Sequence, residues 1–228
     1  FILALPFARI GLKFVLDNAR LSDAMQWLYN KTTATERYNK RKVSSIYFDD
    51  VGFSSVRDNL AGIPHRNKLR LRWYGDQENS LPIFEVKTKE GRLGYKTNFP
   101  IKSIESNLLE LNIDTITSKC IKELTNHNIF FDEHLVPTLQ VNYEREYYET
   151  HDDIRITIDQ EIQFSDAQLH VTPNENNSFS YPFKVMEVKF NPDMKDTVAE
   201  LIKPLHITPK RHSKYLTGLA MLGYVVYL

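Results

Sequence analysis

Two short stretches of strict two-residue alternation constrain this chain more than anything else in it. Lys68-Leu69-Arg70-Leu71-Arg72-Trp73-Tyr74-Gly75 is followed shortly by Phe84-Glu85-Val86-Lys87-Thr88-Lys89. Alternation of this kind reads as β-strand, and successive side chains of a strand leave on opposite faces. Lys68, Arg70 and Arg72 therefore share one face, with Leu69, Leu71 and Trp73 behind them. Glu85, Lys87 and Lys89 share another, with Phe84, Val86 and Thr88 behind. Cations at i, i+2 and i+4 stand about 7 Å apart and repel one another. A solvated outer face tolerates this, because half-buried antiparallel sheets routinely carry charge on their wet side. A bound anion would reverse the sign of the interaction. The choice rests on whether other strands repeat the pattern.

They do. Residues 9–16 read as a first strand, with Arg9, Gly11 and Lys13 on one face. Residues 43–49 are β-rich and end at the acidic turn Asp49-Asp50, residues 139–148 form another strand, and residues 154–159 place Ile154, Ile156 and Ile158 opposite Arg155, Thr157 and Asp159. Residues 185–190 set Glu187 and Lys189 against Met186, Val188 and Phe190. Helices are expected at 21–29 with Ser22 as N-cap, at helical spacing within 103–127, and near 195–204. Residues 59–64 and 172–182 read as loops, and 91–96 as a turn into a further pairing segment. The chain ends on a basic segment, 209–215, and an apolar tail. Several long strands and few helices predict an α+β fold whose antiparallel sheet closes into a barrel or tunnel. With helices over the apolar faces, the charged faces point inward, where only water and anions make them tolerable.

Composition narrows the function. The 228 residues carry a formal net charge of zero, so a cationic site must arise from local segregation, and a globally basic nucleic-acid binder is excluded. Cys120 is the only cysteine, which rules out an intramolecular disulfide framework and a cysteine zinc site and favours a reducing, cytoplasmic setting. No run approaches the roughly 18 apolar residues that span a bilayer, so no membrane insertion is expected of this segment. No P-loop or Rossmann glycine pattern occurs, and the seven histidines lack metal-site spacing. His212, beside Ser213 and Lys214, is the histidine best placed to touch phosphate.

The strand motifs, taken in order, resemble the VTC (vacuolar transporter chaperone) domain family. They are Ser45-Ile46-Tyr47-Phe48-Asp49, Asp58-Asn59-Leu60-Ala61-Gly62, the 68–75 and 84–89 strands, Leu93-Gly94-Tyr95-Lys96, Tyr143-Glu144-Arg145, Arg155-Ile156-Thr157-Ile158-Asp159, Met186-Glu187-Val188-Lys189 and Ser213-Lys214-Tyr215. The match runs from about residue 9 to about residue 218 and looks most like the stand-alone bacterial type, as one domain over 1–228. The resemblance implies a triphosphate tunnel fold, shared with CYTH-type phosphatases and cyclases. It also implies polyphosphate synthesis, in which the γ-phosphate of ATP moves onto a growing polyphosphate chain with Mn²⁺ (or Mg²⁺). ATP and inorganic polyphosphate would be the partners. Carried over by position, Arg70, Arg72, Lys87, Arg145 and Lys214 would be catalytic cations, and Lys13, Lys96, Tyr143, Arg155, Lys189, Arg211 and Ser213 would bind substrate. Glu187 would hold the metal. Gly11 stands where many relatives have Glu. A triphosphate hydrolase and a non-catalytic polyanion-binding module are the competing readings.

Overall fold

A computed structural model describes residues 9–75, 81–91, 93–105, 107–131, 134–173 and 177–226. Nine strands alternate unevenly with five α-helices: β1 (Ile10–Leu16), α1 (Asn18–Lys31), β2 (Thr35–Asp49), α2 (Ser54–Leu60), β3 (His65–Tyr74), β4 (Ile83–Glu90), β5 (Leu93–Pro100), α3 (Ile113–Asn126), β6 (Val136–Glu149), β7 (Arg155–Asp166), β8 (Ser178–Ser180), β9 (Lys184–Phe190), α4 (Lys195–Ile202) and α5 (Lys214–Met221). All strands join one antiparallel sheet in the order β1-β9-β7-β6-β2-β3-β4-β5, with β8 on the flank of β7. The expected α+β tunnel sheet is present, but its ring is not closed by strand pairing: β1 and β5 form the two ends of the path. The C-terminal segment ties β1 to β3 across the inner face. Lys210 N donates to Lys13 O on β1 at 2.8 Å, and Lys68 on β3 reaches Ser213 Oγ at 2.9 Å.

The outer face is dry. Leu69, Leu71, Trp73, Phe84, Ile46 and Phe48 pack under α3 through Ile113, Ile116, Cys120 and Leu124. Phe14, Ile156, Ile158, Met186 and Val188 pack under α1 and α4, whose Trp27 Nε1 donates to Leu201 O at 2.8 Å. These are the apolar halves of the alternating strands, so the cationic halves face inward.

One end of the interior is filled by α5. Tyr215, Leu216 and Leu219 are buried against Val43, Leu139, Val141, Ile162, Phe164 and Val185. Each such side chain contributes about 1.5–3 kcal/mol when removed from water. Gly218 permits the close approach, because a Cβ there would meet Leu139 Cδ2 and Phe164 Cδ1 at 2.6 Å. Strand β7 serves both layers. Ile156 and Ile158 point outward, while Ile162 and Phe164 point inward. The switch occurs where β7 carries one more residue than β6 between their paired positions and Glu161 adopts a φ of 48°. An extra residue in one strand of a pair inverts its side-chain parity.

Several boundaries differ from the sequence expectation. α1 begins at Asn18, capped by Asp17 accepting from Arg20 N at 2.8 Å, and not at Ser22. β2 reaches back to Thr35, because pairing with β6 supplies its backbone partners even though residues 35–40 are exposed and show no alternation. Residues 59–60 end α2, and residues 178–180 form β8. The apolar tail contains α5. No helix of the described residues is long and apolar enough to cross a membrane.

Candidate functional site: a cation-lined tunnel

The inner face is organised by two buried carboxylates, each opposite an arginine in antiparallel register. Arg70 pairs with Glu85 across β3 and β4. Arg70 Nε and an Nη both lie 2.5 Å from Glu85 Oε2, Arg72 stands at 3.8 Å, and Lys96 Nζ reaches Oε1 at 2.9 Å. The Glu85 side chain is only 2% exposed. Burial alone would raise its pKa, yet Arg70, Arg72 and Lys96 outweigh burial and hold it below the usual carboxylate range. Two hydroxyls complete the frame: Arg70 donates to Tyr47 at 3.1 Å and Arg72 to Tyr143 at 2.9 Å. Burial pushes the Tyr47 hydroxyl pKa up, but Arg70 and Arg72 bring it below its ordinary value.

The second anchor is Asp159. Arg145 grips it with two hydrogen bonds, Nε to Oδ1 at 2.5 Å and Nη2 to Oδ2 at 2.8 Å, and Lys214 donates to the same carboxylate. Both cations also sit over the Tyr143 ring, at 5.1 and 4.6 Å from its centroid. Asp159 is likewise held ionised against burial by Arg145 and Lys214. These forks fix guanidinium planes at the lumen wall, as bidentate phosphate recognition requires.

Between the anchors lies a band of lysines. Lys68, Lys87 and Lys96 stand directly abreast on β3, β4 and β5. Like charges placed directly opposite are destabilising. Burial, then Lys13, Arg66, Lys89 and Arg70, push the Lys68 pKa down to about 7. Lys87 is lowered too, by burial and then Lys13. Its side chain nevertheless stays exposed to solvent. Lys13 donates to His212 O at 2.8 Å, next to Ser213, the N-cap of α5. His212 is held neutral, its pKa pushed to about 3 by burial and by Lys214 and Lys13. A band of lysines crowded this closely has an unmet demand for negative charge.

Glu187 differs from the two anchors. It faces Lys13 in register and, among the described residues, makes one loose ion pair, to Lys189 at 3.3 Å. Burial would raise its pKa, but Lys189, Lys13 and Lys87 keep it ionised. Its carboxylate leans against the backbone of Gly11, where a Cβ would stand 3.0 Å from Oε1. Gly11 thus makes the room that Glu187 occupies. An ionised acid not locked by arginine fits a divalent cation whose other ligands are phosphate oxygens and water. No group of three His, Cys, Asp or Glu that could cage a metal occurs among the described residues.

Of the residues expected from sequence, Lys13, Arg70, Arg72, Lys87, Lys96, Tyr143, Arg145, Glu187, Lys189, Ser213 and Lys214 meet at this lumen. Arg155 does not join their hydrogen-bonded clusters. Its half-exposed side chain binds Glu149 at 3.0 Å and Asp153 at 3.3 Å at the rim. Arg211 is exposed and acts on the tunnel through its charge near Lys89. Sequence reasoning left Tyr47 and the anchors Glu85 and Asp159 out of the site, and placed Lys68 on the cationic face without a role of its own. For the two acids the signal is a place on the inner face directly opposite an arginine, which appears only once strand register is known.

The comparisons with known proteins agree with this geometry. A Pyrococcus horikoshii protein of known structure aligns at 13% identity with a TM-score of 0.53, over 94% of this chain and 99% of its own. A Vibrio parahaemolyticus protein proposed to be an adenylate cyclase aligns at 14% identity and a TM-score of 0.51, over 94% and 98%. A Hippeastrum protein, an adenylyl cyclase candidate described as having a dominant triphosphatase activity, aligns at 10% identity and 0.55, over 97% and 98%. At such identities the likeness speaks to the fold alone. No curated protein sequence matches the chain. The model of the VTC domain matches residues 8–223, nearly the whole length, and the chain belongs to the VTC domain family.

Proposed function

We propose that this domain is an ATP-dependent polyphosphate polymerase, moving the γ-phosphate of ATP onto the end of a growing inorganic polyphosphate chain inside the tunnel. The observation that carries the reading is the lumen's imbalance of charge. Glu85 and Asp159 are consumed in orienting arginines, while Lys13, Lys68 and Lys87 crowd together without a carboxylate hydrogen bond among the described residues. A linear phosphate chain supplies regularly spaced negative charge to such a band.

Phosphoryl transfer needs alignment and charge neutralisation more than a covalent nucleophile. A terminal oxygen of the acceptor chain attacks the γ-phosphorus, the bond from γ-phosphorus to the bridging oxygen breaks, and ADP leaves. The acceptor oxygen is already anionic, so no general base is required. Arg70 and Arg72, preset by Glu85, and Arg145 with Lys214, preset by Asp159, would hold the phosphate oxygens in line. Lys13, Lys87 and Lys96 would spread the remaining charge. Tyr143, Lys189, Ser213 and Arg211 would position the flanking phosphates. Mn²⁺ or Mg²⁺, held by Glu187 together with phosphate oxygens, would supply Lewis-acid stabilisation. The lone buried Cys120 suits a cytoplasmic setting, where ATP is at hand.

Hydrolysis of triphosphate is the second reading, favoured by the activity described for the Hippeastrum protein. A two-metal hydrolytic site calls for clustered carboxylates, and none is found among the described residues. Purified protein incubated with ATP and Mn²⁺, beside Glu187→Ala and Arg70→Ala variants, separates the readings. Polymer on a polyphosphate-stained gel, absent in both variants, supports the polymerase. Free phosphate without polymer replaces it with the hydrolase, and tight polyphosphate binding with neither product replaces it with a binding module.

A further inference from the structure

Beyond the lumen, on the same inner face, Arg41 is surrounded by tyrosines. Its Cζ lies 4.9 Å from the Tyr38 ring centroid, 5.2 Å from that of Tyr74 and 4.9 Å from that of Tyr147. Arg41 sits on β2 between β3 and β6, directly opposite Arg145. Tyr74 continues the inner face of Arg70 and Arg72, and Tyr147 that of Tyr143 and Arg145. The Tyr147 ring is shared, with Arg145 Cζ 5.9 Å from its centroid.

Neighbouring cations on β2 have acids. Arg37 pairs with Glu149 at 3.2 Å and Lys40 with Glu144. Arg41 has no carboxylate at ion-pair distance among the described residues, and its Nε is buried without a hydrogen-bond partner. Aromatic faces compensate a guanidinium's charge by about 0.5–2 kcal/mol, but they do not accept from its N–H groups in the plane. The residue is therefore flanked by aromatic rings and carries a buried, unpartnered Nε, opposite another cation. An oxyanion at that edge meets both demands.

We propose that Arg41, framed by Tyr38, Tyr74 and Tyr147, is an outer anion subsite that engages a linear phosphate chain beyond Arg145. The domain would then favour long chains over a triphosphate. This rests on the polyphosphate reading above and adds to it a determinant of chain length. The alternative, a cage that only stiffens the sheet, predicts no effect on anion binding.

Calorimetric titration of the wild type and of Arg41→Gln with tripolyphosphate and with a size-fractionated longer polyphosphate tests it. A hydrogen-bonded charge pair is worth about tenfold or more in affinity. The wild type is expected to prefer the longer chain. Arg41→Gln is expected to lose about tenfold on that chain and to hold tripolyphosphate within about twofold, which also certifies its fold. Equal losses on both ligands, no loss on either, or a wild type indifferent to length would each overturn the subsite. A wild type that binds neither ligand would overturn the polyphosphate reading itself, and the subsite with it.

Discussion

Replacing Glu85 by Gln removes one negative charge from beneath the buried Arg72 and the half-buried Arg70. The Arg70 side chain is 19% exposed and that of Arg72 6%, so neither escapes to water. Breaking a buried ion pair by removing one partner costs about 3–5 kcal/mol. Arg70 keeps Tyr47, and Arg72 keeps Tyr143 and Ser45, which places the expected loss near the lower end, about 3 kcal/mol. For a chain of this size, each kcal/mol moves the melting temperature by about 2–4 °C, so the variant should melt about 6–12 °C lower. Saturating tripolyphosphate should recover more of that loss in Glu85→Gln than it adds to the wild type, because the anion replaces the missing carboxylate. Scanning calorimetry with and without tripolyphosphate reads both numbers. An unliganded melting temperature equal to the wild type, or equal ligand-induced shifts in the two proteins, would refute the idea that Glu85 balances the arginine charge at the tunnel wall.

The lysine band makes a pH prediction. The unfolded Lys68 titrates near 10.5 and the folded one near 7, so between these values the unfolded chain binds more protons and stability without ligand should rise with pH. Phosphate binding in that window should draw protons into the site, so titrations at pH 8 in buffers of different ionisation enthalpy should report uptake that Lys68→Gln diminishes. Gly218→Val would drive a side chain into Leu139 and Phe164, and should lower stability by about 1–3 kcal/mol while lifting α5 from the interior. Denaturant unfolding checks the first effect, and greater protease cleavage within 214–221 the second.

The tunnel was legible because its strands are long and strictly alternating. Leu69, Leu71 and Trp73 against Lys68, Arg70 and Arg72 state an inside and an outside without any knowledge of pairing. Strand order and register were not legible, since hydrophobic period says which face a residue takes and not what stands opposite. Glu85 and Asp159 stayed hidden as site residues for that reason, as did the Lys68-Lys87-Lys96 row. The early half of β2 was missed because both its faces are wet, so Tyr38 and Arg41 carried no periodic signal. Parity read along β7 held up to Asp159 and then inverted at the bulge, placing Ile162 and Phe164 inside. The resemblance of ordered motifs brought forward Glu187, Ser213 and Lys214, which composition and spacing alone would have left as surface residues.

A polymerase and a hydrolase differ in the fate of one phosphate. Protein supplied with Mn²⁺ and with ATP labelled either at the α- or at the γ-phosphate should place γ-label in polymer that lengthens with time, while α-label stays in ADP. Label from the γ-position appearing solely as free phosphate, at the same rate with or without added polyphosphate acceptor, would contradict the account and leave the tunnel to a hydrolase.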